Sequence, residues 1–156
     1  MSRAFRFVHE WRLVAPPRLV FDLLRDVEHY PTWWREIRRV ERIDEASGIA
    51  WVRSLLPYRL RLVITREVED LPTGMLRVGI RGDLEGYAEF RVPTPVDGPP
   101  RPLVLLYRQE VEVTPQGLQR LAPLLGPVLR ANHAAMMRSG ARGLEKACSG
   151  AQTRES

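Results

Sequence analysis

Residues 15–34 read APPRLVFDLLRDVEHYPTWW, and the order of elements in the chain turns on them. Pro16 and Pro17 suit a helix start, because the N–H that proline lacks has no partner in a first turn. Val20, Phe21, Leu24 and Val27 then recur at helical spacing. Pro31 restarts the chain, and TWWREIRRV (residues 32–40) predicts a second short helix with Thr32 as its N-cap. Trp33 and Trp34 are adjacent, so their rings cannot point the same way on a regular element.

Upstream, AFRFVHEWRLV alternates, with Phe5, Phe7, His9, Trp11 and Leu13 on one side and Arg6, Val8, Glu10 and Arg12 on the other. That pattern is a half-buried strand. Downstream, from Val40 to Val113, six runs of strand character are separated by turn residues such as EASG, LPTG and DLEG. The last connection, PTPVDGPPRP (93–102), is stiff with proline and is expected as a lid or a surface loop. From Pro115 onward, Leu118, Leu121, Ala122, Leu125, Leu129, His133, Met136, Gly140 and Leu144 keep an i, i+3/i+4 stripe that predicts a long C-terminal helix. Pro123 and Pro127 should kink that helix or set its first part off as a turn. The expectation is an α+β domain over residues 1–148: a seven-stranded antiparallel sheet, two short helices after strand 1, and a long helix covering the apolar face. Residues 149–156 are expected to form a disordered tail.

The bulk numbers exclude several classes. A chain of 156 residues, 44% hydrophobic and 28% charged, fits one globular domain. No apolar run approaches the ~18 residues of a membrane span, and MSRAFRFVHEW has no secretory h-region, so a cytoplasmic protein is expected. Cys148 stands alone, which leaves no disulfide framework and no cysteine metal cluster. The net charge of +5 would suit nucleic acid, but Arg35, Arg38, Arg39 and Arg42 are interrupted by Glu36 and Glu41 and read as a solvated face. No nucleic-acid partner, metal or cofactor is called for, and monomer and homodimer both remain open.

The box VFDLLRDVEHYPTWW, the GDLEGYAEF hairpin and the terminal MMRSGARGLEKA helix resemble the START/Bet v 1-like superfamily, in particular its polyketide cyclase/dehydrase-type branch. The resemblance spans about Phe5 to Ala147. It implies a helix-grip fold enclosing a cavity between sheet and C-terminal helix for a small hydrophobic ligand, aromatic, polyketide-like or lipid-like. The Asp26-Val27-Glu28-x-Tyr30-Pro31 run is also similar to the coenzyme Q-binding branch, although Trp33, Trp34 and Arg35 depart from it.

Catalytic motifs such as GxSxG, HExxH or a P-loop are absent, so any chemistry rests on polar residues placed in an apolar phase. His9, Arg66, Gln109 and His133 are such residues. His9 reads as a core histidine, Arg66 as a strand-end side chain or an electrophile, Gln109 as a cross-sheet hydrogen-bonder beside Tyr107, and His133 as a cavity-facing or edge group. The expected ligand-binding set is Trp11, Trp33, Trp34, Leu62, Ile64, Arg66, Tyr107, Gln109, His133, Met136 and Met137, with Trp33 facing the ligand and Trp34 sealing the end. Two function classes follow: a binding module, or a cyclase, aromatase or dehydratase with Arg66 or Tyr107 as electrophile and His133 or His9 as base. A quinone-binding chaperone is the third reading.

Overall fold

The computed structural model describes residues 4–53, 59–115 and 127–155. Strand β1 (Ala4–Ala15) buries Phe5, Phe7, Trp11, Leu13 and Ala15 in strict alternation. Helix α1 (Pro17–Arg25) starts on Pro17 and buries Val20, Phe21 and Leu24 on one face. A 3-10 helix, Val27–Thr32, follows, tied back where the Tyr30 hydroxyl donates to the Leu24 carbonyl at 2.5 Å.

The second helix expected over residues 32–40 does not form. Thr32 donates its hydroxyl to the His29 carbonyl at 2.7 Å and closes the 3-10 turn instead of capping a new helix. After that turn Ile37 enters β2 (Ile37–Arg42), where it pairs with Val52 and buries its side chain. The β-branched residues Ile37 and Val40 match a pleated surface better than a helix of two turns.

The remaining strands are β3 (Ser47–Arg53), β4 (Arg59–Asp70), β5 (Met75–Gly82), β6 (Leu84–Arg91) and β7 (Arg101–Val113). The order across the sheet is β1-β7-β6-β5-β4-β3-β2, with every neighbouring pair antiparallel. Helix α2 (Pro127–Glu155) lies across the concave face. It continues through Glu155, so residues 149–155 are helical rather than the disordered tail expected from sequence. The stripe positions 118, 121, 122 and 125, like Pro123, lie outside the described residues.

Helix α2 passes close to Trp11, Trp33 and Trp34 at two glycines. A Cβ on Gly140 would lie 2.6 Å from Trp34 and 2.8 Å from Trp11, and one on Gly143 would overlap the Trp33 carbonyl oxygen. The Trp34 indole N–H donates to the Met136 carbonyl at 3.0 Å, which fixes the ring against this bare stretch of helix. Trp11, Trp34 and Phe90 pack edge to face, with centroids 5.0–5.3 Å apart. Such pairs add about 0.5–1.5 kcal/mol each beyond burial. Trp34→Leu should therefore lose about 3 kcal/mol from shortened packing and the orphaned Met136 contact. A urea midpoint unchanged from wild type would show that the ring is not a keystone of this core.

Candidate ligand cavity

Between α2 and the concave sheet lies a cavity of about 300 Å³. The strand register explains its existence. Phe7, Gln109, Ala88, Val78 and Arg66 form one row across β1, β7, β6, β5 and β4. Ala88 sits in the middle of that row, and Ala50 lies on the inner face of β3, so small side chains stand where larger ones would reach the helix. Phe5, Phe7, Leu62, Ile80 and Val111 wall one end; Trp34, Phe90 and Tyr107 wall the other.

The mouth is charged. Asp26, just before the 3-10 helix, and Glu28 on it line the opening with Arg42 at the end of β2 and Asp44 and Glu45 of the β2–β3 turn, with Arg66 and Glu69 of β4 beside them. Arg42 reaches Glu28 at 3.6 Å across this opening. Hydrogen bonds from Ser47 and from the Ala46 backbone hold Asp44 below the usual carboxylate range, and the hydrogen bond to Asp26 raises His29.

Deep in the cavity one polar cluster interrupts the apolar walls. The buried Tyr107 hydroxyl donates to Gln109 Oε1, and His133 Nε2 lies 2.9 Å from the same oxygen. A carbonyl oxygen accepts only, so Nε2 carries the imidazole hydrogen and Nδ1 carries the lone pair. Phe7 stacks on the imidazole at 3.7 Å. Burial, with His9 as the lesser cause, holds His133 down to about 3, so the ring is neutral near pH 7. Burial also pushes the Tyr107 phenol well above its ordinary value. His133 Nδ1 and the Oδ1 of the neighbouring Asn132 are buried and meet no hydrogen-bond partner among the described residues.

Of the residues expected from sequence, Trp34, Leu62, Ile64, Tyr107, Gln109, His133 and Met136 border the cavity, and Arg66 borders its mouth. Trp11, Trp33 and Met137 do not. Trp11 and Met137 are buried in the core beside it. The two neighbouring tryptophans exchange their expected places: Trp34 faces the cavity, while Trp33 stacks on its outer side at 5.5 Å and packs on Tyr30 at 4.8 Å. The exchange follows from the missing second helix, since a 3-10 end followed by a turn projects the rings differently from a helical N-terminus.

Arg66 is separated from Gln109 by three strand spacings, about 14 Å. Its guanidinium points outward, donating to the Glu45 carbonyl at 3.3 Å and lying 3.9 Å from Glu69. Arg66 and His133 are thus not brought together. His9 lies behind His133, ring centroids 5.3 Å apart, outside the cavity lining. The proline-rich connection does not cover the mouth; Arg101 donates to the Thr94 carbonyl within the loop, and no residue of 93–102 borders the cavity. Sequence reasoning missed Phe7, Ala88 and Asn132. Phe7 and Ala88 show themselves only once the register places them beside Gln109, and Asn132 carried no signal, because it lies beside the apolar stripe rather than on it.

Residues 13–87 match the family model described as polyketide cyclase/dehydrase and lipid transport. No curated protein sequence matches the chain. Among solved structures, a START superfamily protein from Mycobacterium smegmatis is similar with a TM-score of 0.72 at 16% identity, over 93% of this chain and 97% of that one. The Zhui aromatase/cyclase from Streptomyces sp. R1128 also gives 0.72, at 18% identity over 94% of each chain. Norcoclaurine synthase from Thalictrum flavum, in complex with dopamine and hydroxybenzaldehyde, gives 0.57 at 16% identity, covering 90% of this chain and 86% of that one. Residues 13–87 thus resemble the polyketide cyclase/dehydrase and lipid-transport family, and the seven-stranded antiparallel sheet with the helix it grips is the fold of these solved structures.

Proposed function

We propose that this protein binds a small, largely apolar ligand in the sheet–helix cavity. The observation that carries this reading is an apolar space of about 300 Å³, lined at its middle by the small side chains of Ala50 and Ala88 and bordered by one polar relay. A cavity of that size at the lower end of ligand pockets fits a two-ring molecule. The aromatic ligands named for the norcoclaurine synthase complex support a similar ligand scale on a similar fold. Ala88→Phe fills the middle of the inner row. It should lower affinity for an apolar aromatic probe such as 2-naphthol at least tenfold while the circular dichroism spectrum stays that of wild type. Equal affinity in a folded variant would place the ligand elsewhere.

A second reading, a cyclase or dehydratase, is favoured by one observation, a neutral histidine, His133, on the cavity wall. A histidine held near 3 is, however, more than a thousandfold weaker as a base than an ordinary one near 6.5. Hydrogen bonding is the chemistry such a ring performs best. Turnover of a poly-carbonyl substrate that disappears in His133→Gln would reverse this ordering.

A further inference from the structure

Gln109 stands in the inner row of the sheet between Phe7 of β1 and Ala88 of β6, and it is only 7% exposed. Both hydrogen bonds of its amide go to the oxygen: the Tyr107 hydroxyl and His133 Nε2 meet Oε1. Turning the amide over would strand two donors, the Tyr107 O–H and a hydrogen moved onto His133 Nδ1, each at about 1–3 kcal/mol. The orientation observed leaves one lone pair unmet instead, on His133 Nδ1. The relay therefore holds the Gln109 NH₂ outside itself, with no hydrogen-bond partner among the described residues.

That nitrogen is not closed off. Among the described residues, the side-chain polar atoms that are both enclosed and unpartnered are Trp11 Nε1, Glu36 Oε2, Asn132 Oδ1 and His133 Nδ1. Gln109 Nε2 is equally unpartnered and is not one of them, so it keeps surface that another molecule can touch. Its strand, β7, is flanked by β1 and β6, and its side chain shares the inner face with Tyr107 and Val111. The open space on that face is the cavity, which Gln109 borders beside the small side chain of Ala88.

Resting on the binding role proposed above, we infer that the Gln109 NH₂ is the specificity-determining donor of the cavity, so that the preferred ligand is an apolar ring system bearing a carbonyl oxygen that accepts from it. A ketone or aldehyde meets the amide without bringing a charge or a proton of its own. A carboxylate also accepts, but it carries a full charge among Ile80, Phe90 and Val111. A hydroxyl brings a further proton, and the unmet acceptors of the wall, Asn132 Oδ1 and His133 Nδ1, are enclosed. A hydrocarbon of the same outline displaces water from the amide and gives no acceptor in return. Rejection of the analogue that lacks a polar partner exceeds what apolar walls achieve by shape.

The test compares 2-acetylnaphthalene with 2-isopropenylnaphthalene, in which a CH₂ replaces the carbonyl oxygen, by calorimetric titration of the full-length protein. The hydrocarbon leaves water more readily whatever site it enters, so the quantity read is the change in the affinity ratio between wild type and variant. In Gln109→Met, which keeps the length of the side chain and removes its donors, the ratio of ketone to hydrocarbon affinity should fall about tenfold, the worth of one buried hydrogen bond. Nuclear magnetic resonance of the unmodified protein gives a readout that does not depend on any variant folding: the ketone should move the Gln109 side-chain NH₂ protons downfield, and the hydrocarbon should not. An unchanged ratio in folded Gln109→Met, or NH₂ signals that bound ketone leaves in place, overturns the donor role while the binding role stands. Binding of neither probe by wild type removes the cavity reading itself and this inference with it.

Discussion

Gly143→Ala should destabilise the protein by at least about 2 kcal/mol, although helix propensity alone argues for the opposite sign. Gly143 lies inside α2, where replacing glycine by alanine in an isolated helix gains about 0.8–1 kcal/mol. In the folded chain the added Cβ would overlap the Trp33 carbonyl oxygen. That carbonyl cannot easily retreat, because the Trp33 N–H is bound to the Tyr30 carbonyl at 3.1 Å and Tyr30 is anchored to Leu24. Overpacking against backbone costs about 1–3 kcal/mol and often more at so close an approach. Relief requires α2 to lift from the 3-10 helix, which also loosens Trp34 from Met136. For a chain of this length, a loss of 2 kcal/mol corresponds to a fall of roughly 4–8 °C in Tm. A variant at least as stable as wild type would show that α2 does not close on Trp33 as described.

The second large effect is loss of stability in mild acid, carried by His133. Folded, the ring is held near 3 by burial; unfolded, it returns to about 6.5. Between these values the unfolded chain binds a proton that the native state refuses. Stability is therefore flat above pH 6.5 and falls as pH is lowered, by up to about 1.4 kcal/mol per pH unit. From pH 6.5 to 5 the loss amounts to about 2 kcal/mol. His9, lowered by burial as well, adds to the same trend. His29 is raised and acts in the opposite sense, but its pair with Asp26 is exposed and screened. The contribution from Asp44 is lost only as pH falls through the carboxylate range, below this window. Urea midpoints measured from pH 7.5 to 5 should drop steeply for wild type and much less for His133→Phe. Parallel slopes in the two proteins would show that His133 titrates normally in the native state.

Much of the architecture was legible before any coordinates. The alternation of β1, the helical spacing of Val20, Phe21 and Leu24, and the turn residues dividing Val40–Val113 are local patterns. Local patterns survive folding when burial agrees with them. TWWREIRRV failed for the same reason in reverse. Its helical spacing was short, and pairing of Ile37 with Val52 plus burial of Trp34 outweighed two turns of marginal helix. The site was legible in its residue types. Gln109, Tyr107 and His133 stood out as polar groups in apolar phases, and they proved to be one hydrogen-bonded unit. Arg66 stood out by the same rule and belongs to the mouth instead. The register shift between Arg66 and Val68 breaks the strand phase there, and period-2 reasoning cannot foresee a bulge.

By itself, the sequence determined the class of fold, because side-chain periodicity reports which face of each element must leave water. It also determined which polar residues would need partners. Only the tertiary structure decided who those partners are. Gln109 and His133 are 24 positions apart and meet only after β7 and α2 pack on each other. Which tryptophan faces the cavity, which nitrogen of His133 is left bare, and where a glycine cannot be replaced all depend on distances across elements. No local pattern encodes those distances, since each is set by the volumes of side chains brought together from the whole chain.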